Sequence, residues 1–257
     1  MSDQLRNFGA SSVSLNGLEF VTVDLVSAAE IVAELGAMRS CGSVRLTNAY
    51  SVALADSSQD YAHVLRSRGV NFPDGTPLVW ALRLRSGATR LQTVRGPSLF
   101  RMVLDRGRSD GLRHFFLGTT GDTLHKLTTR VEGDYPGVKI AGAFAPDFGP
   151  LGESFYTEAA GRVSHAEADI VWVGLGTPKQ DFAAAELSRR TGILHVAVGA
   201  AFDFVAGTAA EAPSFVQGSG LEWLYRFSKE PRRLWRRYLF GNARFMKVAI
   251  FSSSRTR

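Results

Sequence analysis

A chain of 257 residues with 45% hydrophobic and 21% charged residues has the composition of a globular protein, built as one large α/β domain or one domain with an appendage. Its one cysteine, Cys41, excludes an intramolecular disulfide and, without a Cys/His cluster, a zinc site; it fits a reducing cytosol, and neither a secretory leader nor a bilayer-spanning run of eighteen apolar residues is expected. The net charge of +6 is unevenly placed: from Gly220 to Arg257 ten Lys/Arg face two acidic residues, a balance of +8, while the rest carries 20 basic against 22 acidic residues, or −2, so a near-neutral body bears a basic tail suited to a polyanion, a phosphorylated substrate or an anionic membrane.

Taken in order, Met1 to Asn16 is polar and Ser-rich and reads as loose. Phe20 to Val23 predicts a short strand, and Asp24 to Met38 a helix with Asp24 as cap. Val44 to Asn48 is a second strand, followed by helical spacing from Tyr50 to Leu65. Gly69 to Pro77 is a strand end breaking into a Pro-Asp-Gly turn that carries Asp74. A helix from Leu78 to Arg85, the stretch Leu91 to Gly96, and a helix from Pro97 to about Gly107 come next. Strands at His114 to Gly118 and Val138 to Phe144 alternate with helices at Thr123 to Val131 and before Val163.

The clearest signal is Asp169 to Phe182, an apolar, β-branched strand running through Gly174-Leu175-Gly176-Thr177-Pro178 into a helix, with Thr177 as N-cap and Pro178 at the first helical position. Ile193 to Gly199 is the last strand. This alternation predicts an α/β fold with a doubly wound, mostly parallel, Rossmann-like sheet and a basic C-terminal helical appendage. The divisions expected are a flexible terminus at 1–17, a catalytic domain at 18–206, and a linker with basic amphipathic helices at 207–257.

Ligands of such sheets sit at the carboxyl ends of the strands, where Asn48, Asp74 and the Gly174 to Gln180 turn would converge. A glycine turn opening a helix offers free N–H groups to a phosphate, and Lys179 and Gln180 add a charge and an amide at its rim; a plain strand-to-helix connection is the alternative. Asp74 is either a general base toward a hydroxyl or a turn residue. Asn48 either binds a sugar or base edge or caps the following helix, and Asp203 either binds a ribose hydroxyl or caps. His63, His114, His125, His165 and His195 show no metal-ligand spacing and read as core or surface residues. No Asp-x-Asp pair is present, which argues against an obligatory metal. In the tail Arg226, Arg233, Arg237 and Arg244 recur at helical intervals among Trp223, Leu224, Phe227 and Trp235, a pattern of membrane-surface helices whose arginine forks suit diphosphates.

Together these segments make the chain similar to the WecG/TagA/CpsF glycosyltransferase family (glycosyltransferase family 26), from about Phe20 to Leu239. The resemblance rests on Asn48-Ala49, Phe72-Pro73-Asp74-Gly75, Val173 to Asp181, Gly199-Ala200-Ala201-Phe202-Asp203, Leu221 to Arg226, Glu230 to Leu234 and Arg236 to Leu239. It implies inverting, metal-independent transfer from a UDP-sugar (a hexose or N-acetylhexosamine, such as UDP-N-acetylmannosamine) to a polyprenyl-diphosphate-linked glycan in exopolysaccharide, capsule or cell-wall synthesis. Asp74 would be the base; Asn48, Thr47, Gly174, Gly176, Lys179, Gln180 and Asp203 would bind substrate; Arg226, Arg233, Arg236 and Arg237 would close over the leaving diphosphate. The expected setting is the cytoplasmic face of the membrane, bound peripherally, with no cofactor, no nucleic acid and the option of a homo-oligomer.

Three departures stand out: the family's Thr is displaced by one to Thr47, a frequent Arg is Thr93 with Arg95 nearby, and Pro-Lys-Gln-Glu ends in Asp181. The rival is an NAD(P)-dependent oxidoreductase, but Lys179 occupies the place of its third glycine.

Overall fold

The computed structural model describes residues 10–87, 91–213, 216, 222–229 and 231–251, with the backbone alone described at 226, 231–234 and 236–240. It begins with a hairpin, β1 (Ser11–Leu15) antiparallel to β2 (Leu18–Thr22). Residues 11–16 were expected to be loose and are not. Asn16 and Gly17 both have positive φ (54° and 70°), the conformation of a two-residue turn that an Asn-Gly pair adopts readily. Val13 and Leu15 alternate with serines, so one face of β1 turns inward and Leu15 is buried.

Six further strands make one sheet: β3 (Gly42–Thr47), β4 (Gly69–Pro73), β5 (Arg113–Gly118), β6 (Lys139–Phe144), β7 (Ile170–Gly174) and β8 (Leu194–Ala197). Their order is β4-β3-β8-β7-β5-β6 and every neighbouring pair is parallel. The helices are α1 (Leu25–Ala37), α2 (Ala49–Ser57), α3 (Gln59–Arg66), α4 (Thr76–Ser86), α5 (Gly96–Asp110), α6 (Gly121–Asp134), α7 (Glu153–His165), α8 (Lys179–Thr191), α9 (Ala201–Ala206), α10 (Glu222–Lys229) and α11 (Pro231–Phe251). The expected doubly wound α/β fold is what the chain forms.

Both sheet faces are covered, as parallel strands require. On one, α1, α5, α6 and α9 pack on Val44, Leu46, Phe116, Trp172 and Val196; on the other, α7 and α8 pack on Phe115, Leu117, Val171, Val173 and Ala197. A further core joins the hairpin to α2, α3, α4 and α11. Local chemistry sets the helix starts. Asp24 accepts from the Ser27 amide at 2.8 Å, and Ser58 accepts from the Tyr61 amide at 3.2 Å, which divides into α2 and α3 the stretch that reads as continuous helical spacing.

The end of α11 is part of the body. Phe245 and Val248 lie in the same core as Leu15, Phe20, Val52 and Leu78. Arg244 pairs with Asp56 at 2.7 Å, and Arg85 donates to the Ala249 carbonyl at 2.8 Å. Arg244, counted with the exposed basic stripe from the sequence alone, is thus an anchor of α11 on α2. The segment read as a linker is also tied at its start, where the Thr208 and Ala209 amides donate to the Asp203 carbonyl.

Candidate active site

Because all six strands are parallel, the segments that follow them leave the sheet at one edge. Thr47 pairs with Pro73, Arg45 with Ala197, Ala197 with Val173, and Gly174 with Gly118. Asn48, Asp74, residues 198–203, the 174–180 turn and Thr119 therefore line a common rim. From β4 to β7 is three strand spacings, about 14 Å.

Asp74 is fixed through its backbone. Its amide donates to the Thr47 carbonyl at 2.8 Å, and the preceding Pro73 carbonyl accepts from the Val94 amide at 2.9 Å. Gly75, with φ 92°, then turns the chain into α4. The Asp74 side chain is half-buried on this rigid loop.

Beside it, Asn48 caps α2, its Oδ1 accepting from the Ser51 amide at 3.1 Å. The capping role leaves its Nδ2 group without an acceptor among the described residues. Thr47 is buried, and its Oγ1 has no hydrogen-bond partner among the described residues.

The 174–180 turn differs from the expected capping. α8 begins at Lys179, Pro178 is the residue preceding it, the Thr177–Pro178 peptide is cis, and Thr177 makes no cap bond. Gln180 does that work instead: its Oε1 accepts from the Gly176 amide at 3.1 Å while its own amide donates to the Gly176 carbonyl at 2.9 Å. A glutamine in the first turn is long enough to reach back to the backbone of the turn. Gly176 has φ 77°, a conformation glycine adopts without steric cost. Gly174 is glycine for another reason, since a Cβ there would lie 2.6 Å from Cδ2 of Phe202. The amides of Thr177 and Lys179 have no acceptor among the described residues, as at the start of any helix that could receive an anion.

Other side chains take more specific places than the sequence suggests. Lys179 reaches from the turn to the Gly149 carbonyl and lies 5.4 Å over the Phe148 ring, so it ties the loop after β6 to this rim. Gln180 is buried, and the Cβ position of Gly199 lies 3.8 Å from its Oε1. Asp203 accepts from Thr119 Oγ1 at 3.4 Å, bridging α9 to the end of β5. The side chains of Arg226, Arg233, Arg236 and Arg237 lie outside the described residues; their backbone places the first in α10 and the other three in α11.

Two arrangements escape a reading of motifs. Arg95, with a side chain 13% exposed, bonds Glu222 at 2.8 Å and Glu211 at 3.1 Å, and Glu211 also takes Arg101 at 2.8 Å. The start of α10 is therefore held to the start of α5. Glu222 is one of two acids in a strongly basic segment, and that isolation is the signal that it has an internal partner. The second arrangement is buried: Tyr61 donates to Asp181 at 2.6 Å behind the turn.

His114 and His195 are core residues, as expected, and burial lowers the pKa of each to about 4. Among the described residues no three His, Cys, Asp or Glu side chains gather as a metal-ligand group.

Two curated bacterial proteins are similar to the chain. An N-acetylglucosaminyldiphosphoundecaprenol N-acetyl-beta-D-mannosaminyltransferase of Bacillus spizizenii is 29% identical over 230 residues, covering 88% of this chain and 86% of that protein. A protein of the same name from Bacillus subtilis is 28% identical over 232 residues, with the same coverage of 88% and 86%. The sequence pattern of the Glycosyl transferase WecG/TagA/CpsF family matches residues 13–257, nearly the whole chain and every segment that forms the rim, and the chain belongs to that family of glycosyltransferases.

Proposed function

We propose that this glycosyltransferase moves an N-acetylhexosamine, such as N-acetylmannosamine, from a UDP-sugar to a polyprenyl-diphosphate-linked glycan, with inversion and without a metal ion. The observation that carries the proposal is the single rim of the parallel sheet, where a carboxylate on a pinned turn, Asp74, shares an edge with a turn whose Thr177 and Lys179 amides are open.

The acceptor hydroxyl oxygen attacks the anomeric carbon while Asp74 takes its proton. The bond from that carbon to the diphosphate oxygen breaks on the opposite face, and UDP departs with the electron pair. Charge growing on the diphosphate meets the open amides and the arginines of α10 and α11, an electrostatic contribution on the order of several kcal/mol. Asn48 Nδ2, on the same rim, would donate to a sugar hydroxyl, with Thr47 buried behind it. The relatives' name specifies a β-linked product, which from an α-linked nucleotide sugar requires inversion.

The acceptor's polyprenyl chain places the reaction at a membrane. No helix among the described residues is long and apolar enough to cross one. Trp223, Leu224 and Trp235 are 40%, 48% and 43% exposed on the basic helices α10 and α11, which suits peripheral attachment to an anionic surface. The oxidoreductase alternative is not favoured by the family or its relatives.

The deciding experiment incubates the protein with a panel of UDP-sugars and an N-acetylglucosaminyl-diphosphate lipid, with EDTA or with Mg²⁺. UDP release and a β-linked disaccharide lipid in EDTA support the proposal; an α-linked product or strict metal dependence overturns the corresponding part.

A further inference from the structure

Behind the 174–180 turn lies a buried polar group that the proposed chemistry does not use. Asp181, the third residue of α8, is 3% exposed and accepts from the hydroxyl of Tyr61 on α3 at 2.6 Å. The Tyr61 ring is 1% exposed and also packs against Phe182, with centroids 5.8 Å apart. Beneath them Arg45 of β3, also 1% exposed, donates to Asn71 Oδ1 at 2.8 Å, Ser43 Oγ at 2.8 Å, the Val64 carbonyl at 2.9 Å, Ser67 Oγ at 3.0 Å and the Ser67 carbonyl at 3.2 Å. All these partners are neutral, and Asp181 is the first carboxylate whose field opposes the effect of burial on this guanidinium.

A buried hydrogen bond this short, away from water, is among the stronger contacts a side chain makes. Its position gives it a particular effect. Gln180, next to Asp181, turns in the opposite sense and closes on Gly176, so the same helical turn is gripped from behind by α3 and in front by the rim. Pro178 and the open amides of Thr177 and Lys179 lie between those two grips.

We propose that Tyr61 and Asp181 act as a positioning pair that sets the 174–180 turn for the donor diphosphate. The inference rests on the reading of that turn as the donor site. The pair touches no reacting atom: it determines how much ordering the turn must undergo when donor binds, so it acts on donor binding and leaves the chemical step alone.

The test compares Tyr61→Phe, Asp181→Asn, the double variant and Gln180→Ala, measuring donor KM, kcat and amide hydrogen exchange of the unliganded protein. Tyr61→Phe keeps the ring and its contact with Phe182, so it remains informative if Asp181→Asn fails to fold. Tyr61→Phe is expected to raise donor KM about tenfold with kcat within about twofold. Exchange should accelerate in peptides covering 174–182 and not in those covering β5 or α6. The double variant, where it folds, should be no worse than the poorer single one, because the two side chains make one bond.

Wild-type exchange at 174–182 in Tyr61→Phe overturns the inference. So does exchange that rises equally across the protein, or a loss confined to kcat. If Gln180→Ala leaves donor KM unchanged while Tyr61→Phe still loosens 174–182, the donor-site reading fails and the positioning of the turn stands.

Discussion

The amide of Asp74 donates to the carbonyl of Thr47 at 2.8 Å, continuing the β3–β4 ladder by one bond into the loop. The loop that carries the carboxylate is therefore held by its backbone. Asp74→Asn should still fold and bind donor, while kcat falls by about 10² to 10⁴, the usual contribution of a positioned base. Turnover near wild type would remove Asp74 from the chemistry.

Gly174 lies against the face of Phe202, and that ring packs in turn on Phe100 and Phe116 at centroid distances of 5.7 Å. A methyl group at 174 has no room without moving the ring and the start of α9. Gly174→Ala should destabilise the protein by about 1–3 kcal/mol, measured by chemical denaturation. Gly176→Ala meets no neighbour within 4 Å and suffers only from its positive φ, so its cost should be smaller, about 1 kcal/mol.

His114 and His195 give the fold a pH dependence of known sign. Burial lowers both to about 4, in His114 against a partly offsetting Asp169 carboxylate. Between pH 4 and the unfolded value of about 6.5 the unfolded chain binds more protons than the native one, so stability is greatest above pH 6.5 and is lost as pH falls toward 4. The loss is on the order of 3 kcal/mol per histidine across the whole window. Urea titrations at pH 7.5 and pH 5 should show it, and His195→Asn should flatten the slope.

The arginines of the tail should be tested by substitution. Deleting 221–257 would also strip Phe245 and Val248 from the core, and Phe245→Ala alone should cost about 3–5 kcal/mol. Replacing Arg226, Arg233, Arg236 and Arg237 by Gln should leave Tm within a few degrees while cosedimentation with anionic vesicles and transfer both fall. Unchanged vesicle binding would place the membrane contact elsewhere.

Much of this architecture is legible in the sequence because it is local. Strand–helix alternation gave the parallel sheet, and with it the shared edge of Asp74 and the glycine turn. Asp24 and Asn48 announce themselves as caps by preceding helical spacing. What escapes is mostly relational. Asp181 reads as a motif variant until Tyr61, 120 residues earlier, is seen to donate to it. Lys179 reads as a phosphate ligand, and nothing in the chain order reveals that its side chain also reaches the Gly149 carbonyl in the loop after β6. The hairpin at Asn16-Gly17 was readable from its turn pair, but serine-rich composition outweighed the alternation of Val13 and Leu15.

One contact joins the two ends of the proposed machinery. The Cβ position of Gly241 on α11 lies 2.9 Å from the ring of Tyr50, two residues beyond Asn48. Arg233 is eight residues from that contact, about 12 Å along a continuous helix. α11 therefore runs from its arginines to a seat against the turn that presents Asn48, and the fit there is close enough that one added methyl group at 241 would be felt by the Tyr50 ring.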